Sequence, residues 1–137
     1  MKQGFAATRY WVASITPGDS WYVPPLQAGA AWGPAHLVTT EDVFVEFLSA
    51  AAGRGADLRQ EVMKTVRAIL ANVHVTVRPQ RHESFVRGLD DDASRADKAY
   101  SLVECMSMNS MRQMGPTEVQ THDHHFTQEG FTMVIKR

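Results

Sequence analysis

Residues 37–50 read LVTTEDVFVEFLSA. Leu37 to Thr40 is a short β-prone run. Thr40 is suited to cap a helix that opens with Glu41 and Asp42, acids that favour the positive end of a helix dipole. Val43, Phe44, Phe47, Leu48 and Ala51 recur at helical spacing, so the helix is expected to run to about Ala52 and stop at Gly53. One strand therefore passes directly into one amphipathic helix. Glu46 stands inside that helix, among residues that should be packed.

The same alternation extends in both directions. Upstream, Gly4 to Thr8 reads as a strand and Tyr10 to Ile15 as a helical turn or two. Pro17 to Pro34 is rich in Pro and Gly and reads as a loop with short helical pieces. Downstream, Asp57 to Ala71 carries the stripe Leu58, Val62, Val66 and Ile69/Leu70 of a second helix. Val73 to Val77 alternates as a strand, which Pro79 breaks. Arg81 to Gly88 reads as a helix, and Asp90 to Arg95 as a polar loop or weak helix end. Ala99 to Met114 is a strong helix ended by Gly115-Pro116. Glu118 to Thr121 and Phe131 to Ile135 read as the last strands. Strands alternating with helices imply an α/β fold with a mainly parallel sheet, in one domain spanning residues 1–137.

Composition narrows the class. The 137 residues carry 14 Lys+Arg against 15 Asp+Glu, a net charge of -1, which argues against a generic polyanion binder without excluding a local basic face. A 44% hydrophobic and 21% charged composition excludes a wholly disordered chain. No stretch approaches the ~18 apolar residues of a membrane span. The first residues, MKQGFAATRYW, lack a secretory pattern. The single cysteine, Cys105, can form neither an internal disulfide nor a multi-cysteine zinc site, and a reducing cytoplasm is the expected compartment.

In open α/β sheets, ligands bind beyond the carboxyl ends of the strands. There the sequence places Ala7 and Thr8, the helix bearing Glu41, Asp42 and Glu46, and the segment Thr121-His122-Asp123-His124-His125. Asp97 and Glu104 lie on the helix feeding the fourth strand. A carboxylate cluster repels itself and is stabilised by a hard divalent cation, which can activate water against a phosphodiester. The plainer reading of any one acid is a helix cap or a solvated surface. The three histidines match no strong zinc spacing and read as polar loop residues, one of them near substrate. Cys105 reads as a small buried hydrophobe. Met106, Met108, Met111 and Met114 read as core, with a subunit interface as the alternative. Trp11, Trp21 and Trp32 read as packing anchors. Gly53-Arg54-Gly55 is too short to cradle a phosphate.

Three stretches carry a resemblance: LVTTEDVFVEFLSA, DKAYSLVECMSM from Asp97 to Met108, and THDHHFTQEGF from Thr121 to Phe131. On these the chain resembles the PIN-domain family, and within it the VapC-like ribonuclease toxins of bacterial type II toxin–antitoxin systems. The resemblance spans nearly the whole chain. It implies a five-stranded parallel sheet with helices on both faces, and a metal-dependent endoribonuclease that cuts single-stranded or loop RNA with Mg²⁺ or Mn²⁺. It assigns Glu46, Glu104 and Asp123 as catalytic metal ligands, Asp97 as a supporting acid, and Thr8 and Thr121 as groups that orient water or ligands. Glu104 stands where the family usually has Asp. Ala7, in Phe5-Ala6-Ala7-Thr8, stands where the family has its first metal-binding Asp, and a methyl group cannot ligate a cation. The expectation is therefore an impaired enzyme. Either deliberate inactivation or natural divergence produces that pattern, and the difficulty of expressing toxic nucleases favours the first. Arg9, Arg95 and Lys98 are candidates to contact phosphate.

The implied partners are RNA, a second copy of the chain in a homodimer, and a cognate antitoxin that inserts an Arg among the carboxylates. No membrane is involved. Two other readings stand beside this one. A non-catalytic PIN-like module would bind RNA or a partner protein without cutting. A small phosphohydrolase or receiver-like domain would need an acid at the end of the first strand, and Ala7 removes it.

Overall fold

The computed structural model describes residues 3–16, 18, 36–116, 118–121 and 124–134. Five strands form one sheet: β1 (Gln3–Ala6), β2 (His36–Thr40), β3 (Val75–Arg78), β4 (Glu118–Gln120) and β5 (Thr132–Val134). Every pairing is parallel and the order is β3-β2-β1-β4-β5. Six helices lie among the described residues: α1 (Thr8–Ser14), α2 (Glu41–Ala51), α3 (Ala56–Leu70), α4 (His82–Ser94), α5 (Leu102–Met114) and α6 (His125–Gln128). No described helix is long and apolar enough to cross a membrane.

The order explains where a site can form. From β1 the chain builds outward through β2 and β3, then returns to the opposite side of β1 for β4 and β5. The reversal opens a crevice between the carboxyl ends of β1 and β4. β1 is central, with Phe5 paired to Val38 on one side and Val119 on the other. Phe5 and Ala6 are fully buried, as a strand covered on both faces requires.

Packing ties the two helices flanking that crevice together. The Trp11 ring of α1 lies 5.5 Å from Phe44 of α2, and its Nε1 donates to Thr39 Oγ1 at 3.4 Å. Thr39 passes the hydrogen bond on to the carbonyl of Ala6 at 2.8 Å. Thr40 caps α2 as expected, its hydroxyl accepting from the Val43 N–H at 3.2 Å. Met106, Met108 and Met111 are buried and Met114 is half-buried against the core, so these side chains are core. Cys105 is buried too, and burial pushes its thiol up to about 11.

Several elements depart from expectation. β3 starts at Val75, not Val73, because Asn72 makes a turn: its Oδ1 accepts from the His74 N–H at 2.8 Å and its carbonyl from the Val75 N–H at 3.2 Å. α4 runs on through Asp90-Asp91-Asp92 to Ser94, closed by the Arg95 N–H on the Asp91 carbonyl and the Arg95–Asp91 ion pair. α5 starts at Leu102, not Ala99, because Ser101 and Glu104 form a capping box. α6 was expected as loop. Trp21, Trp32 and Ile135 lie outside the described residues, as does the Pro17 to Pro34 stretch apart from Gly18.

Gly88 sits buried in the middle of α4, where α5 passes close. A Cβ there would meet Met106 Cγ at 2.6 Å and Leu102 Cδ1 at 3.2 Å. Met106 Cγ is mid-chain and cannot swing away cheaply. Gly88→Val is therefore expected to cost roughly 1–3 kcal/mol in urea unfolding through overpacking. An unchanged midpoint would show that the helices part easily.

Candidate active site

Position 7 is where the site begins. Ala7 has an extended backbone (φ -88°, ψ 172°) and is the N-cap of α1, with no side chain to accept a hydrogen bond there. Asp, Asn, Ser and Thr favour that position, and Ala is among the poorest choices. The geometry thus asks for a short polar residue, independently of any comparison.

Ala7, Thr8 and Arg9 line one side of a cavity of about 310 Å³ at the crevice between β1 and β4. Thr121, at the exit of β4, and His125, on α6, line it from the other side. Glu46 of α2 and Glu104 of α5 both face it, each half-buried. The cavity therefore brings together Glu46, Glu104, Thr8 and Thr121 of the expected site, around Ala7. Asp97 is not among its lining residues: the capping box delays α5, leaving Asp97 exposed in the turn before it. Asp123 and His122 lie outside the described residues. Among the described residues no three His, Cys, Asp or Glu side chains cluster to hold a metal ion.

Glu104 is anchored on both oxygens. Oε1 accepts from the Ser101 backbone N–H at 3.0 Å, and Oε2 accepts from His125 Nδ1 at 2.7 Å. Behind His125 stands the Tyr100 ring, 5.2 Å away, whose hydroxyl donates to Glu129 Oε2 at 3.0 Å. Burial first, and then this bond, pushes Tyr100 up to about 12. Burial raises Glu129, but the hydrogen bonds from Arg95 and Tyr100 and the charges of Arg95 and Arg112 outweigh it, so its carboxyl titrates below the ordinary range. Arg95 is thus engaged with Glu129 at 2.8 Å and with Asp91 at 3.7 Å, away from the phosphate role considered for it. Lys98 is exposed in the turn before α5, whereas Arg9 lines the cavity. Sequence reasoning took His125 as a loop residue and missed Tyr100 and Glu129. The Ser-x-x-Glu spacing at Ser101 signals only the capping box that holds Glu104, and no spacing marks Tyr100 or Glu129.

Asp42, one turn before Glu46, is 5% exposed and its Oδ2 makes no hydrogen bond. Burial raises its pKa; the Thr40 hydroxyl, its own backbone and Arg78 oppose this, and Glu46 adds repulsion. A raised native pKa means that the carboxyl weakens the fold increasingly as pH rises through that pKa, and ceases to do so in acid. Asp42→Asn is expected to stabilise the protein by about 1 kcal/mol at pH 7, the gain fading toward pH 4. Melting temperatures of both proteins across that range test this. A loss at pH 7 would mean that Arg78 needs the charge.

The comparisons bear on this architecture. VapC20 of Mycobacterium tuberculosis, a toxin that cleaves the sarcin-ricin loop, superposes with a TM-score of 0.80, covering 95% of this chain and 97% of its own at 22% identity. The chain has the fold of the VapC toxins. VapBC2 of Rickettsia felis, solved on a DNA fragment of its promoter, matches with a TM-score of 0.66 at 9% identity, covering 96% of this chain and 97% of its own. DNA-bound VapBC of Salmonella typhimurium gives the same score and identity with 98% coverage of both. No family model and no curated protein matches the sequence. In this VapC-like PIN fold, the cavity occupies the switch point of the sheet, and Ala7 sits at its inner edge, 4% exposed.

Proposed function

We propose that the chain is a metal-dependent endoribonuclease toxin of the VapC type, impaired at position 7. One observation carries this reading: Glu46 and Glu104, from helices far apart in sequence, face a single cavity at the sheet's switch point in a VapC-like fold. Two carboxylates on one cavity fit Mg²⁺ or Mn²⁺, hard cations that take oxygen ligands and complete their shells with water and substrate phosphate. When bound, such an ion lowers the pKa of attacking water and offsets charge on the phosphodiester.

The chain's own groups do the rest. Glu46 and Glu104 hold the cation, with Asp123 as the third ligand that the resemblance assigns. Thr8 and Thr121 offer hydroxyls that orient water at the cavity wall. Arg9 meets an RNA phosphate. Cavity-facing carboxylates also suit an antitoxin guanidinium, which binds carboxylates bidentately; the VapBC neighbours support a partner of that kind. A homodimer and a cytoplasmic setting complete the proposal.

Ala7 favours a second reading. Its methyl group occupies the N-cap beside the two glutamates, and a site short of a ligand serves a non-catalytic binding module for RNA or a protein. Calorimetric titration of Mn²⁺ into the chain and into Ala7→Asp, followed by mixed RNA, separates the two. Tight binding and cutting by Ala7→Asp alone supports the impaired nuclease. Absence of both in either protein hands the lead to the binding module.

A further inference from the structure

A glutamate has one more rotatable bond than the aspartate that the resemblance implies at position 104, so an unrestrained carboxylate there would sample many directions. It is restrained from two sides, by the Ser101 N–H on Oε1 and by His125 Nδ1 on Oε2. His125 is itself half-buried and backed by the Tyr100 ring, 5.2 Å away. Tyr100 is anchored through Glu129 to Arg95 and Arg112, at 2.8 Å and 3.3 Å from the carboxylate. A chain of contacts thus runs from two arginines to a carboxylate facing the cavity.

We propose that His125 is a positioning residue, whose Nδ1–H, backed by Tyr100, fixes the Glu104 carboxylate as a preorganised ligand for a divalent cation. The proposal rests on the nuclease reading above. The physical reason is general: carboxylates that ligate metals are held by outer hydrogen bonds, and losing such a partner weakens binding by roughly 10–100-fold. Here the longer side chain at 104 makes the restraint necessary. The capping box fixes one oxygen and leaves rotation about the last bond to be stopped by His125.

The test uses the Ala7→Asp protein and the Mn²⁺ affinity measured by calorimetry, with the electron paramagnetic spectrum of bound Mn²⁺ as a second readout. Asn places an amide nitrogen where Nδ1 stands, whereas Gln reaches toward Nε2. His125→Ala and His125→Gln are expected to bind Mn²⁺ about 10–100-fold more weakly and with a broadened spectrum. His125→Asn is expected to restore most of the affinity and the parent line shape. Because Asn and Gln differ in reach and not in chemistry, the comparison stands even if the alanine variant fails to fold. Parent-like affinity in all variants, or equal loss in Asn and Gln, overturns the proposal while leaving the nuclease reading intact. Failure of Ala7→Asp itself to bind Mn²⁺ sinks the nuclease reading, and the proposal with it.

Discussion

Glu46→Gln, introduced into the Ala7→Asp protein, is expected to lower RNA cleavage on the order of 10²–10³-fold, the scale of removing one preorganised electrostatic contact from a transition state. Gln keeps the volume and hydrogen-bonding reach of Glu but not its charge. The proposed cation site would lose one of the two described carboxylates that face the cavity. The fold should not suffer, because Glu46 repels Asp42 and raises its pKa. Neutralising Glu46 relieves that repulsion, so the melting temperature should hold or rise slightly. Gel-resolved cleavage rates and a melting curve on the same sample check both halves. Cleavage at the parent rate would remove Glu46 from the site.

The second large effect concerns stability. Trp11 is 1% exposed, stacked edge-on with Tyr10 at 5.0 Å and against Phe44 at 5.5 Å, with its indole N–H bonded to Thr39. Trp11→Ala is expected to cost roughly 3–5 kcal/mol, a large part of the ~5–15 kcal/mol that holds a domain together. Trp11→Phe keeps an aromatic ring in the core and should cost less. It leaves the buried Thr39 hydroxyl still bonded to the Ala6 carbonyl. Urea unfolding of the three proteins measures this. A loss under 1 kcal/mol for the alanine variant would mean that α1 is not part of the core.

The fold was legible where sequence periodicity and chemistry agree. Leu37 to Thr40 passes from a β-prone run to a capped helix, and the structure has β2, the Thr40 cap and α2 in those places. Boundaries failed where a side chain redirected the backbone. Asn72 turned Val73 and His74 out of β3, leaving Val73 83% exposed. The run of three aspartates read as a polar loop or a weak helix end, since acids near a helix C-terminus oppose the dipole, and the structure makes it the helix end. Arg95 offsets this by pairing with Asp91.

The site was legible through resemblance more than through spacing. Glu46 was singled out as an acid inside an apolar helix, and it faces the cavity. Asp97 was placed by its nearness to a helix start that proved to lie farther on, at the Ser101 cap. The Glu129–Tyr100–His125 arrangement was not legible, because its members come from separate turns and helices and share no periodicity. Only the folded chain puts them in line.

The central place of β1 bears on how the molecule is made. Its Phe5 is paired with Val119, which the ribosome adds more than a hundred residues later, and the cavity needs Thr121 beyond that. At ~5–20 residues per second, synthesis keeps the first strand waiting on the order of ten seconds for its second neighbour. Over that interval the cavity lacks the wall that Thr121 supplies. It is among the last parts of the fold to close, so whatever binds there meets only the finished domain.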